Sequence, residues 1–404
     1  MAAHLLTLNA GSSSIKFALF DAPARGASGT GPLPAAQWLG QADGLGPGLH
    51  ARLQMRDRQG RLVHDAPLLG AQASHAGAIR AMLAWRSHHT GAVPIAAVGH
   101  RIVHGGMHFV EPVLVDTRVL AELAALEPLA PLHQPHNLRG VRAAVAAFAG
   151  VPQVACFDTA FHATQGDVHR RFALPRALHD EGVRRYGFHG LSYESVVAQL
   201  PRHDAALAHG RVVVAHLGNG ASMCAINAGR SVATTMSFSP LDGLTMGTRC
   251  GHIDAAVVLY LLQARGMAPD AITKLLFRES GLLGLSGVSS DMRELEASPL
   301  PAAADAITHF VERVVEQLGS LAAALRGIDA IVFTGGIGEN ATRVRERILA
   351  ASAWLGVRTD SAANRHGGPR ISTADSPVGA WVLRTDEEAV IARHTARMLD
   401  ANAN

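Results

Sequence analysis

"LLTLNAGSSSIKFALF", residues 5–20, and "VVVAHLGNGASMCAINAG", residues 212–229, follow one plan. Each is an apolar strand, a polar residue, a turn of glycine and other small residues with a hydroxyl, and a second strand. Their separation of roughly two hundred residues implies a duplicated half-chain. A third strand-to-glycine stretch, "FTGGIGEN" at 333–340, leads towards a helical pattern at Ala341–Trp354. Free N–H groups at such a helix start favour anions. As single features all three read equally well as ordinary hairpins or strand-to-helix turns.

Strand-like runs also occur at "AAVGHRIVHGG" and "QVACFDTAF", and helical patterns at Asp254–Gln263, Ala303–Leu325 and Asp386–Leu399. Strands interleaved with helices predict an α/β architecture. The Gly-, Ala- and Pro-rich residues 22–50 read as an irregular insertion.

At 404 residues the chain is long for a single core, so two domains are expected. The pI is about 9.0, yet the formal net charge is only +3 and no dense basic run is present, which argues against a nucleic-acid partner. The longest clean apolar stretch, around Ala255–Leu262, is too short to span a membrane. Three scattered cysteines without a CxxC pair, and an N-terminus without a basic leader, predict a cytoplasmic protein.

Of the 36 Lys and Arg residues, only Lys16 and Lys274 are lysine. Lys16 directly follows the serine turn, where a compact point charge suits a phosphate oxygen. Neither lysine lies in a P-loop string, and the protein-kinase elements are missing. Arg101, Arg249 and His189 sit in apolar or glycine-bounded contexts, Asp158 ends an apolar strand and Glu387 opens the final helical pattern. Each taken alone also fits a salt-bridged, packed or helix-capping residue. His100, His104 and His108 have a zinc-like spacing, but Gly105 and Gly106 interrupt any helix there, so zinc is set aside.

Nine blocks in order, "LNAGSSSIKF", "GHRIVHGG", "PLHQPHN", "FDTAFH", "RRYGFHGLS", "HLGNGAS", "SPLDGLTMGTRCG", "FTGGIGEN" and "TDEEAVIAR", closely resemble the acetate kinase family of short-chain carboxylate kinases. The resemblance spans nearly the whole chain. It implies the duplicated ribonuclease H-like α/β fold of the actin, Hsp70 and sugar kinase superfamily, with a nucleotide cleft between two domains. Residues 1–157 plus 386–404 are expected to form the first domain and 158–385 the nucleotide-binding second. It further implies a homodimer that uses ATP/ADP with Mg²⁺ or Mn²⁺ to phosphorylate acetate. A propionate or butyrate kinase is the alternative within the family. A non-kinase ATP-driven switch of the actin or Hsp70 type is the alternative outside it.

By resemblance, Arg101 and Arg249 hold the substrate carboxylate and the transferring phosphoryl, and His189 hydrogen-bonds that phosphoryl, with His133 in a lesser role. Asp158 is the central acidic residue, while Asn9 and Glu387 accompany the metal. Ser12, Ser14 and Lys16 form the phosphate-side wall. His216, Leu217, Gly218, Asn219 and Gly220 match one nucleotide-binding stretch. Asp291, Met292 and Arg293 match a second, and Gly336, Ile337, Gly338, Glu339 and Asn340 a third. Val103, Leu132, Phe188 and Pro240 match the pocket for the acid's alkyl end. Tyr193, His252, Asp386 and Gln134 depart from the pattern, standing where the family usually has histidine, aspartate, asparagine and asparagine.

Overall fold

The two echoing segments fold as equivalent hairpins in separate sheets. The computed structural model describes residues 3–23, 34–46, 49–89 and 93–402. In it, β1 (His4–Ala10) pairs antiparallel with β2 (Ser14–Asp21), and Gly11 N–H donates to Ser14 O at 2.8 Å to close the turn. The same sheet holds β3 (Trp38–Asp43), β4 (Arg52–Asp57), β5 (Leu62–Pro67), β6 (Ile95–Ile102), β7 (Val113–Leu114) and β8 (Gln153–Phe157). Its order is β5-β4-β3-β2-β1-β6-β8-β7.

The second sheet contains β9 (Arg211–His216), β10 (Ser222–Asn227), β11 (Arg230–Thr234), β12 (Ala330–Thr334) and β13 (Gly379–Val382), in the order β11-β10-β9-β12-β13. Here β10 runs antiparallel between β9 and β11, while β9, β12 and β13 run parallel. The first sheet repeats this in β3-β2-β1-β6-β8, with β1, β6 and β8 parallel. The duplicated α/β fold expected from the sequence is therefore visible strand by strand. Strands β8 and β12 are buried at every residue, as parallel strands covered on both faces must be.

Residues 1–160 and 386–404 make one unit and 161–385 the other. The division after Ala160 puts Asp158 in the first unit, not at the head of the second. Among the described residues no helix is long and apolar enough to cross a membrane.

One sequence expectation is corrected. Residues 22–50 are not wholly irregular, because β3 lies inside them; 24–33 and 47–48 fall outside the described residues. The Phe17 ring of β2 lies over Gly40, where a Cβ would come within 1.9 Å of it, so the glycine that suggested a loop is what admits the ring.

The helix Glu387–Asn402 completes the first unit, as the helical pattern there predicts. Asp386 caps it by accepting from Ala389 N–H at 2.9 Å. Its alanines 389, 392 and 396 form a cluster with Leu5, Ala18, Phe20 and Ala97 of the sheet. Small residues bring the helix close: a Cβ on Gly99 would lie 2.2 Å from Thr395 Oγ1.

Candidate active site

In the first unit, Asn9, Arg101 and Asp158 lie at or just past the carboxyl ends of three neighbouring parallel strands, β1, β6 and β8. That edge is where open α/β sheets bind ligands. Arg101 Nε and Nη2 donate to the two Asp158 oxygens at 2.9 and 2.7 Å, and Nη1 lies 3.2 Å from Glu387 Oε2. Asp158 is 1% exposed. Burial by itself would lower the Arg101 guanidinium, but Asp158 and then Glu387 and Glu388 more than reverse it, so its pKa lies above the ordinary value.

Asn137, from the "PLHQPHN" block, ties two of these strand ends together. Its Oδ1 accepts from Val103 N–H at 2.9 Å and its Nδ2 donates to Ala10 O at 2.7 Å. Gln134 likewise holds His104, accepting from its N–H at 3.3 Å and donating to its carbonyl at 3.1 Å. The sequence reading took from that block Leu132, His133 and, as a departure from the pattern, Gln134; the part that Gln134 and Asn137 play in holding the strand ends was missed, both lying in the helix Gln134–Ala147. Their signal was an amide at helical spacing, Gln134 and Asn137.

Lys16 sits opposite Asn9 in the hairpin register and is exposed. Ser12 is exposed at the turn, and Ser14 begins β2 half-buried. Val103 is buried and Leu132 half-buried. His100 does not behave as a metal ligand: it lies in β6 with Nε2 2.8 Å from Gln153 Oε1.

In the second unit the glycine turn after β9 is welded to the one after β12. Leu217 N–H donates to Thr334 O at 2.8 Å, and Leu217 O accepts from Ile337 and Gly338 N–H at 2.8 and 3.0 Å. Gly335 N–H donates to Glu339 Oε1 at 3.1 Å, and Asn340 Nδ2 to Gly336 O at 2.8 Å. Three of the first four amides in the short helix Gly335–Asn340 are thus engaged internally, contrary to the expectation of free N–H groups. The open position is Gly336, where a Cβ would meet nothing within 4 Å.

Gly247 N–H donates to Asn219 O at 3.0 Å, and a Cβ there would also lie 3.2 Å from Ser290 O. That brings the Asp291–Arg293 stretch beside the same turn. Asp291 caps the helix Met292–Ala297 through Arg293 N–H, while the Arg293 side chain grips the same carboxylate and holds its pKa down at about 2. Met292 is buried.

Arg249 and His189 meet at Gly220. A Cβ on Gly220 would lie 2.7 Å from Arg249 Nη2 and 3.6 Å from His189 Nε2. Arg249 Nη1 donates to Pro240 O at 2.6 Å, and among the described residues no carboxylate forms an ion pair with it. Burial pulls its guanidinium down to about 10, which still leaves it charged at neutral pH. His189 has a left-handed backbone, φ 59°, where the chain turns into the helix Gly190–His203. Its ring stacks on His216 with centroids 4.4 Å apart. Each imidazole is held at Nδ1 by a serine: His189 by Ser222 at 2.8 Å, His216 by Ser192 at 2.7 Å. Phe188 is buried, and its carbonyl lies 2.9 Å from His162 Nε2. His252 pairs with Asp242 at 3.4 Å and is exposed.

A cation carried with phosphates needs hard oxygen donors, and Asn9 and Glu387 are of that kind. Among the described residues no group of three or more His, Cys, Asp or Glu is arranged to hold a metal alone. A cation such as Mg²⁺ is usually held through one or two protein carboxylates plus substrate phosphates and keeps several waters, so a donor set this sparse fits it.

A family model described as the acetokinase family matches residues 4–393. An acetate kinase of Methylocella silvestris is 52% identical over 412 residues, covering 100% of both chains. A propionate kinase structure from Francisella tularensis subsp. tularensis aligns with TM-score 0.88 and 35% identity, over 98% of this chain and 99% of that one. The Porphyromonas gingivalis acetate kinase structure aligns with TM-score 0.86 and 36% identity, over 98% and 100%. With two like-ordered sheets, the ordered motifs and similarity along the full length, this chain belongs to the acetokinase family of ATP-dependent phosphotransferases.

Proposed function

We propose that the protein is an acetate kinase, moving the γ-phosphoryl group of ATP onto acetate to give ADP and acetyl phosphate. The observation that carries the reading is Arg249: a half-buried guanidinium bonded to a carbonyl, set beside His189 and paired with no carboxylate among the described residues. Such a charge lacks only an anion.

Acetate is ionised at neutral pH and needs no general base. One carboxylate oxygen attacks the γ-phosphorus, the bond from that phosphorus to the β–γ bridging oxygen breaks, and the electron pair leaves on ADP. The protein's task is orientation and stabilisation of charge on the equatorial oxygens. Arg249 and His189 serve the phosphoryl group and Arg101 the carboxylate, with Asp158 and Glu387 fixing the plane of Arg101. Lys16 and the serine turn face phosphate oxygens, and the glycine stretches at 216–220 and 336–340, with 291–293, receive the nucleotide. Mg²⁺, with Asn9 and Glu387 as its protein ligands, would neutralise charge on the phosphates.

The similarity to a propionate kinase structure supports a second reading with the same chemistry. Val103, Leu132, Phe188 and Pro240 would set the choice of acid, where one methylene is worth about 1–3 kcal/mol. Hydroxylamine trapping of acyl phosphate with acetate, propionate and butyrate tests both. Acetate should give the highest kcat/KM; preference for a longer acid would select the second reading. ATP binding without any trapped acyl group would favour a nucleotide-driven switch.

A cytoplasmic homodimer is part of the proposal. The helix Ala255–Gln263 has no buried residue, and Leu259 and Tyr260 are 51% and 54% exposed. An apolar face of this kind suits a second copy of the chain.

A further inference from the structure

A cavity of about 590 Å³ in the second unit is walled by β11, the short helix Asp167–Arg170 and its exit, the turn at Asp242 and the long helix Pro301–Leu325. That volume is in the range of small-molecule sites. None of the residues assigned above to nucleotide, phosphoryl group or acid is among those that line it. Its charges are unequal: Arg171, Arg185, His169 and His252 share the lining with a single carboxylate, Asp242. We propose that this cavity binds a small organic dianion, held by Arg171, Arg185 and His252. Binding there does not depend on the reading of Arg249; its effect on ATP, drawn below, rests on that reading.

Both guanidiniums are held in place yet reachable, their side chains 33% and 38% exposed. Arg185 lies over the Phe172 ring, 4.8 Å from its centroid, which fixes its plane. Its Nη1 is 3.8 Å from Asp242 Oδ2, longer than a hydrogen bond. That oxygen accepts from Ser237 Oγ at 2.6 Å, and Asp242 Oδ1 from Gly243 N–H at 2.8 Å. Arg171 Nη2 is 3.1 Å from Asp167 Oδ2, outside the lining. Arg171, and then Arg170 and Arg184, hold that carboxyl below its ordinary range, so the positive field extends behind the cavity wall. Guanidinium forks match carboxylate and phosphate oxygens alike, and two of them match two negative charges.

His252 makes the site a property of this chain, because the family usually has aspartate there. With aspartate, two carboxylates would balance the two guanidiniums, and an incoming anion would meet a like charge beside Asp242. The imidazole removes that charge and brings a ring nitrogen that can donate. The same residue stands at the base of the loop that carries Arg249: His252 N–H donates to Gly243 O at 2.9 Å. A dianion competes with Asp242 for Arg185 and His252, and so loosens that base. Dianion and ATP should therefore weaken each other's binding by about fivefold, the low end of coupling between sites.

The test is calorimetry on the full-length protein at fixed ionic strength, with succinate, glycerol 3-phosphate and the monoanion monomethyl succinate as probes. One dianion should bind about tenfold or more tightly than the monoanion, as a charged hydrogen-bonded pair is worth. Tighter succinate would assign the natural ligand to dicarboxylates and tighter glycerol 3-phosphate to phosphate esters, and either supports the site. His252→Asp, at an exposed position, and Arg171→Gln should each weaken the dianion about tenfold and leave ATP binding in its absence unchanged. Equal affinity for monomethyl succinate, or dianion binding unaltered in both variants, would overturn the proposal. Dianion affinity unmoved by saturating ATP would overturn the link to Arg249. Failure of the acetate kinase reading would show in the hydroxylamine assay and not in these titrations.

Discussion

Arg101 and Arg249 are the same residue type in opposite electrostatic settings. Arg101, in the first unit, is gripped by both oxygens of Asp158 and approached by Glu387. Arg249, in the second, bonds the carbonyl of Pro240. One guanidinium is compensated in the ligand-free chain and the other is not, so burial raises no net obstacle to charging the first but lowers the second to about 10. The contrast separates two uses of a half-buried arginine. A compensated one is a fixed structural element whose outer edge meets a substrate; an uncompensated one holds its free energy until an anion binds.

The largest expected effect comes from breaking the compensated side. Asp158→Ala takes from the half-buried Arg101 its bidentate partner and should lower unfolding free energy by about 3–5 kcal/mol. Urea melts measure this, and a change below about 1 kcal/mol would mean that the pair is solvated in solution. Arg249→Ala should do the reverse. It removes an oriented donor, so kcat should drop by about 10²–10³, or ~2.7–4 kcal/mol, while thermal stability holds or rises. Near-normal turnover in that variant would remove the distinction between the two arginines.

Acid sharpens the comparison with a smaller effect. Burial lowers His100 and His104, in the first unit, and His162, in the second, to about 4. Between pH 6.5 and 4 the unfolded chain binds protons that the folded chain does not, so stability falls as pH falls through that window. Each histidine contributes a slope approaching ~1.4 kcal/mol per pH unit. Hydrogen exchange followed from pH 7 to 5 should find the first unit, with two such residues, loosening ahead of the second. Equal loosening, or gain of stability on acidification, would contradict the burial of these rings.

The hairpins and their duplication were legible because turn chemistry and alternating apolar residues are local signals, and β1–β2 and β9–β10 carry both. The motifs placed Arg101, Asp158 and Glu387 in one chemistry before any contact was known, through resemblance and not through spacing. What stayed hidden depends on distant partners. Gly40 read as a loop residue because the Phe17 ring above it is invisible in a linear pattern. The amides of Ile337 and Gly338 looked free because their acceptor, Leu217 O, belongs to another segment. Tyr193 looked like a lost histidine until Ser222 appeared between it and His189.

The helix Glu387–Asn402 packs against Gly99 and brings Glu387 to Arg101, although all of residues 161–385 lie between it and the segment it completes. Residues 161–385 make up their unit without interruption, whereas the segment 1–160 gains its final wall only where the chain returns at Asp386. Position in the sequence and self-sufficiency are therefore inverted: the earlier half is the discontinuous one. A chain cut before Asp386 would keep every residue of the second unit while its Arg101 lacked the carboxylates of Glu387 and Glu388.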